Sequence, residues 1–239
     1  MRRVEHIMGL PISVAGDAVL PGEAADPVFA WLREVDARFS PFRPDSEVSR
    51  LDRGELTEDE LSADLTEVLR LCEDYRVASG GAFRVRLPGR GLDPCAMVKG
   101  WAVQRAAELL AVRGVRRFCL NAGGDVVTAG GPWRIGVRHP TRPDRLCTVL
   151  EIADGAVATS ARYERGDHIL DGRTGRPAVG LLSMTVVARS LTEADATATA
   201  AFAMGADGIA WAAARDGCEV FAIDAEHRVF RTPGLPLAG

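Results

Sequence analysis

No stretch of this sequence is apolar for long enough to span a bilayer. Its first residues, Met1-Arg2-Arg3-Val4-Glu5-His6-Ile7-Met8, include two basic side chains but neither an apolar h-region nor a cleavage site, so they do not read as a secretory signal. Runs of one charge are also missing. The 29 Lys and Arg residues are interspersed among 33 Asp and Glu, for a formal charge of -4, and without a basic stripe there is no electrostatic footprint for nucleic acid. Cysteine is sparse: Cys72, Cys95, Cys119, Cys147 and Cys218 form an odd, scattered set with no C-x-x-C pair and no zinc spacing. They read as reduced thiols, and a cytoplasmic location with no membrane anchor is the expectation. Repeats, low-complexity tracts and a G-x-S-x-G nucleophile elbow are absent as well.

What remains is a chain of 239 residues, 47% hydrophobic, long enough to bury a full core. One domain over residues 1–239 is expected. Val28, Trp31, Leu32, Val35 and Phe39 recur at helical spacing between Pro27 and Phe39. Pro41 and Pro44 then forbid helix and impose an extended loop. Further helices are predicted over Thr66–Ala78, ending at Gly80-Gly81, over Trp101–Val112, ending at Gly114, and over the alanine-rich Thr192–Met204. Between the last two, short β-rich runs follow one another: 117–120, 125–128, 133–137, 148–152, 156–159, 168–170 and 183–188. Gly, Pro, Asp and Asn punctuate them, Asp171-Gly172 is a hairpin signal, and a last hairpin is expected over 219–223 and 228–231. Helices first, a meandering antiparallel sheet second, then one more helix and a hairpin make this an α+β fold rather than a doubly wound one.

Three segments are too polar and too rich in glycine to be simple connectors. In Leu92-Asp93-Pro94-Cys95-Ala96-Met97-Val98-Lys99-Gly100-Trp101, an ammonium beside a predicted helix start suits a phosphate, although a solvated surface lysine has the same look. In Asn121-Ala122-Gly123-Gly124-Asp125, paired glycines let a ligand approach the backbone and Asp125 suits a ribose hydroxyl or a cation. A plain tight turn is the alternative. Asp195 and Thr199 lie four apart, so a helix presents both oxygens on one face, a hard-oxygen pair suited to Mg²⁺. A carboxylate simply answering the helix dipole is the competing explanation. Ser160, His168 and Asp171 are the residue types of a nucleophilic triad, but His168 and Asp171 stand three apart on a predicted strand end, where alternation points them to opposite faces.

In order along the chain come Met8-Gly9-Leu10, Phe39-Ser40-Pro41-Phe42 with Ser46-Glu47-Val48-Ser49-Arg50-Leu51, Val98-Lys99-Gly100-Trp101-Ala102-Val103-Gln104-Arg105-Ala106 and Asn121-Ala122-Gly123-Gly124-Asp125. Ala158-Thr159-Ser160-Ala161-Arg162-Tyr163, His168-Ile169-Leu170-Asp171-Gly172-Arg173-Thr174-Gly175 and Ala194-Asp195-Ala196-Thr197-Ala198-Thr199-Ala200 complete the series. The series resembles the FAD:protein FMN transferase family, also called the ApbE family. The family pattern runs M-G-T, F-S-x-Y-x-x-x-S-E-x-S-x-L, G-G-I-A-K-G-Y-A-V-D-R-A, N-x-G-G-D, A-T-S-G-x-Y, H-I-I-D-P-x-T-G and A-D-A-x-A-T-A.

The resemblance implies an enzyme that binds FAD with Mg²⁺, cleaves the pyrophosphate, releases AMP and joins FMN by a phosphoester to a Ser or Thr of an acceptor flavoprotein, within a segment such as D-G-x-[ST]-G-A-[ST]. It also implies the residues: Asp195 and Thr199 as side-chain metal ligands with the carbonyl of Val98, and His168 as the essential histidine. Met8, Phe42, Ser46, Lys99, Gly124, Asp125, Thr159 and Ser160 are placed along FAD, Phe42 by the flavin and Asp125 on the adenosine side. His168 would take the proton of the incoming hydroxyl, an imidazole being the side chain that titrates near neutrality; fixing a hairpin through a backbone hydrogen bond is its structural alternative. An FAD pyrophosphatase using water, or a non-catalytic flavin-binding protein, are the other functions this pattern allows. The departures are Cys95-Ala96 for two glycines, Arg84 after Phe83 where an aspartate is usual, Ala161 for a glycine and Gly172 for a proline.

Overall fold

The structure is a computed structural model that describes residues 2–16, 22–87, 89–162, 166 and 168–239. Eight strands form one sheet in which every neighbour pair is antiparallel: β1 (Arg2–Ile7), β2 (Leu10–Gly16), β3 (Phe118–Ala122), β4 (Asp125–Ala129), β7 (Gly155–Ala161), β10 (Leu181–Ala188), β11 (Glu219–Asp224) and β12 (Val229–Arg231), in that spatial order. Two small hairpins stand apart from it, β5 (Trp133–Arg138) with β6 (Leu146–Ile152) and β8 (Leu170–Asp171) with β9 (Arg176–Pro177). The helices are α1 (Gly22–Phe39), α2 (Glu47–Asp52), α3 (Ala63–Ala78), α4 (Cys95–Val112), α5 (Leu191–Met204) and α6 (Asp207–Ala213). The α+β class expected from the sequence is the class observed.

Alternation along the strands splits the core in two. Ala156 and Ala158 of β7, with Met184 and Val186 of β10, face α4 and α5, where Phe29, Leu32, Trp101, Ala106 and Leu110 fill the main cluster. Val157, Phe221 and Ile223 point the other way and are covered by Val137, Leu150 and Ile152 of the β5–β6 hairpin and by Leu235. α5 is buried over most of its surface because six of its fourteen side chains are alanine, which lets its backbone lie flush on the sheet beneath α4.

Two expectations need correcting. α4 begins at Cys95, not Trp101, so Lys99 and Gly100 lie inside the helix rather than at its start. Asp93 Oδ1 accepts the Cys95 N–H (3.0 Å), which is how the turn opens after Pro94. The strand expected over 168–170 is only Leu170–Asp171, leaving His168 in a loop. The loop imposed by the two prolines runs to Ser46, which caps α2. The edge hairpin β1–β2 was not anticipated; its turn is Met8-Gly9, both with positive φ (56° and 69°). The Asp171-Gly172 signal does mark a hairpin, β8 to β9, in which the Gly175 N–H bonds the Asp171 carbonyl at 2.7 Å.

Candidate active site

One end of the large sheet gathers the polar motifs. The turns Met8-Gly9 and Gly123-Gly124 sit side by side there, the Gly123 N–H bonding the Pro11 carbonyl at 3.1 Å. Asn121 Oδ1 accepts the Gly124 N–H (3.1 Å), which closes the β3–β4 turn and starts β4 at Asp125. Asp125 is 3% exposed, and both of its oxygens are engaged: Oδ1 accepts the Thr159 N–H at 2.9 Å, and Oδ2 bonds the Lys99 ammonium. Lys99 Nζ also lies 3.2 Å from Asp195 Oδ1. A half-buried ammonium thus bridges two buried carboxylates that come from β4 and α5. Lys99 is the only lysine in the sequence, every other of the 29 basic residues being arginine.

The electrostatics of this trio are set by burial. Desolvation pushes the Asp195 carboxyl well above the ordinary range; Lys99 opposes that shift and the charge of Asp125 adds to it. For Lys99, burial disfavours the charge, but Asp125 and then Asp195 outweigh it and the net shift is upward. The ammonium therefore stays protonated.

The closeness of α4 and α5 depends on Gly100. A Cβ there would lie 2.7 Å from the Leu191 carbonyl oxygen and 2.8 Å from Asp195 Cβ. Gln104 Oε1 accepts the Leu191 N–H at 2.9 Å and fixes where α5 starts. From the other side, the Tyr75 hydroxyl of α3 bonds Thr197 Oγ1 (2.9 Å) and lies 3.3 Å from the Glu193 carbonyl. Gln104 and Tyr75 were missed by sequence reasoning, since nothing local links positions 87 or 122 apart.

Asp195 and Thr199 lie one turn apart on α5 as expected, with Ser160 Oγ of β7 3.2 Å from Thr199 Oγ1. One atom is left over: Asp195 Oδ2 is buried and has no hydrogen-bond partner among the described residues. An orphaned carboxylate oxygen on the helix that also carries the Thr199 hydroxyl one turn on offers hard oxygen donors, the kind a magnesium ion takes. Val98 lies one residue before Lys99 in the first turn of α4, buried, so the segments expected to share the ion do face each other.

The remaining residues fall out differently. Phe42 is 86% exposed on the turn before α2, an aromatic face open to a ligand. Met8 is half-buried at its turn. Ser46 is 1% exposed, its hydroxyl accepting the Ser49 N–H at 3.0 Å as the cap of α2, so it supports the Phe42 turn rather than lining a cleft. Asp125 is engaged by the Lys99 ammonium and the Thr159 N–H. The Thr159 hydroxyl bonds Thr185 Oγ1 (2.9 Å) on the face of β7 away from α5, leaving only its backbone near the trio. His168 is exposed, its Nδ1 3.1 Å from the Gly166 carbonyl. A carbonyl only accepts, so Nδ1 is the donor there, and in the neutral ring the lone pair falls to Nε2. The triad is not assembled: Ser160 bonds Thr199, His168 bonds Gly166, and Asp171 is taken by Arg173 at 2.8 Å. Tyr163 of the A-T-S motif lies outside the described residues.

Gly172 explains one departure from the family pattern. Its N–H bonds the Ala82 carbonyl at 2.8 Å, and a Cβ would meet the Gly81 carbonyl oxygen at 2.5 Å and Arg84 Cβ at 2.6 Å. Proline has neither the donor nor the room.

A family model described as the ApbE family matches residues 8–88 and 84–222. Among curated relatives, the FAD:protein FMN transferase of Salmonella typhimurium is 29% identical over 161 residues, 61% of this chain and 46% of that protein. The FAD:protein FMN transferase of Rhodobacter capsulatus is 33% identical over 170 residues, 66% of this chain and 32% of that protein. The chain thus spans less than half the length of these relatives. The flavin transferase ApbE from Vibrio cholerae superposes with a TM-score of 0.84 at 22% identity, covering 100% of this chain and 99% of that one. The ApbE protein of Thermotoga maritima does so at 0.84 and 23%, covering 98% and 97%; at such identities the likeness shows a common fold. With the family model matched over most of its length and the same fold beneath, the chain belongs to the ApbE family.

Proposed function

We propose that this chain is an Mg²⁺-dependent FAD:protein FMN transferase. The observation that supports it most is the buried Asp195 oxygen without a partner, set beside Lys99 and Asp125 at the sheet end where the motif residues gather. Asp195, Thr199 and the Val98 carbonyl would hold the ion, which when bound shields phosphate charge and stabilises the leaving phosphate. Lys99, oriented by Asp125, holds a positive charge beside the pyrophosphate. Phe42 and Met8 offer an aromatic and a soft apolar surface to the isoalloxazine. The acceptor Ser or Thr oxygen forms a bond to the FMN phosphorus while the bridging P–O bond breaks and AMP departs. His168 takes the hydroxyl proton on Nε2, its Nδ1–H held by Gly166.

Incubating the protein with FAD, Mg²⁺ and an acceptor carrying D-G-x-[ST]-G-A-[ST], then weighing the acceptor by mass spectrometry, tests this. An FMN-sized adduct is expected with the parent and not with Asp195→Ala or His168→Ala. Adduct formation by Asp195→Ala at the parent's rate refutes the metal assignment. Free FMN and AMP without any adduct makes the protein a pyrophosphatase, and unchanged bound FAD makes it a binding module.

A further inference from the structure

The loop joining β5 to β6 reads Arg138-His139-Pro140-Thr141-Arg142-Pro143-Asp144-Arg145, four basic side chains against one acid in a chain whose formal charge is -4. Its backbone is fixed by two prolines and by the His139 N–H to Arg145 carbonyl (2.9 Å) and Arg145 N–H to Arg142 carbonyl (3.0 Å) bonds. His139 Nδ1 faces the Thr141 N–H at 3.2 Å, while Nε2 faces the Arg142 guanidinium at 2.9 Å. Both neighbours can only donate and a neutral imidazole has one lone pair, so the loop carries more donors than acceptors. Desolvation first, and then the positive charges of Arg142, His227 and Arg145, hold the His139 ring below its usual range. His227 belongs to the turn between β11 and β12, at the same edge.

Strand directions locate this edge. β4 leaves the site at Asp125, and β5 returns, pairing Trp133 with Ile152 at the far end and ending at Arg138. Ser183 pairs with Ala161, the residue after Ser160, and Leu181 pairs with Asp224 just before His227. The loop and the turn thus project from the end of the fold that carries the trio. Each has an exposed aliphatic residue beside it, Leu146 and Val229. Surplus cationic donors rimmed by isolated apolar side chains suit a protein surface rich in carboxylates. Nucleic acid fits less well, since the loop has no aromatic platform for a base and the whole chain is acidic.

We propose that the β5–β6 loop, with Arg142 and Arg145 as its principal contacts, docks an acidic segment of the acceptor protein and so presents the acceptor hydroxyl to the site. The inference rests on the transferase reading for its purpose, not for the binding itself.

Two fluorescent peptides carry the test, both containing D-G-x-[ST]-G-A-[ST], one flanked by Asp and Glu and the other by Gln. The parent is expected to bind the acidic peptide in anisotropy titrations about tenfold more tightly than the neutral one, an advantage that shrinks as salt is raised. Arg142→Glu with Arg145→Glu is expected to abolish that advantage; Arg70→Glu, exposed on α3, is the control and leaves it intact. In FMN transfer the double variant raises KM for the acidic peptide about tenfold, with kcat and the KM for FAD unchanged. Docking stands, and the transferase reading falls, if the acidic peptide binds through these arginines yet neither peptide is labelled. The reverse outcome, labelling of both peptides at equal KM by parent and double variant, overturns the docking inference alone. Absence of preferential binding by the parent, or displacement of the acidic peptide by a 20-nucleotide single strand at lower concentration than by the unlabelled peptide, also overturns it.

Discussion

Gly100→Ala is the most discriminating perturbation of this fold. In an exposed helix the change stabilises by about 1 kcal/mol, because alanine loses less backbone freedom. In α4 the added methyl would sit 2.7 Å from the Leu191 carbonyl oxygen, 2.8 Å from Asp195 Cβ and 3.0 Å from Asp195 Oδ2. Ordinary contact begins near 3.4 Å, so a gap of about 0.7 Å must open. The two nearest, the Leu191 carbonyl oxygen and Asp195 Cβ, are not the free end of a flexible side chain. Leu191 is the first residue of α5, held by Gln104, and α5 lies against β7 and β10 on its other side. The adjustment must therefore be a shift of one helix against the other. Overpacking of this kind costs about 1–3 kcal/mol, which leaves a net loss of ~0–2 kcal/mol after the propensity gain.

The functional loss is expected to be larger than the stability loss. Metal-ligand distances tolerate changes of about 0.2 Å, and magnesium demands near-octahedral geometry, whereas Asp195 is displaced relative to Val98 by several times that amount. A misplacement approaching ~1 Å costs about a hundredfold in rate. Transfer measured across a magnesium titration is expected to show an apparent affinity weakened at least about tenfold and a rate at saturating metal reduced on the order of a hundredfold. Urea denaturation is expected to show a small loss. A variant about 1 kcal/mol more stable than the parent, with an unchanged magnesium response, would refute the close helix approach on which the site rests.

Two further outcomes follow from the same geometry. Because Lys99 is the only lysine and its ammonium is held between Asp125 and Asp195, acylation of the folded protein by an amine-reactive ester is expected to spare Lys99; in urea it should react, and equal Lys99 labelling rates in the two states would contradict the bridge. Gly172→Pro is expected to lower the melting temperature by several degrees, through the lost bond to Ala82 and a clash worth about 1–3 kcal/mol; Gly172→Ala should lose less, and a proline variant as stable as the parent would remove that account of the departure.

The sequence disclosed most where a pattern is local. The apolar stripe of α1 and the Asp195 to Thr199 spacing on α5 needed only a helical period, and both are found as expected. β1 escaped notice because an edge strand reading Arg-Arg-Val-Glu-His-Ile has little apolar alternation to betray it. The start of α4 was misplaced because Lys99-Gly100 resembles a helix beginning, while glycine is there for helix packing. Ser46 and Asp125 were assigned to the ligand by motif, yet their oxygens are satisfied within the protein, Ser46 by its own helix and Asp125 by a lysine 26 positions away.

That last pairing carries a signal the linear sequence did contain. A chain that uses arginine at every other basic position but keeps one lysine does so where a planar guanidinium would not serve. Between two carboxylates buried to within 4% of full enclosure, a compact ammonium can reach one oxygen of each. Doing so leaves Asp195 Oδ2 unengaged. A guanidinium, with its fork of donors, would be apt to claim both Asp195 oxygens in a bidentate pair and close the seat that the orphan oxygen keeps open for a cation.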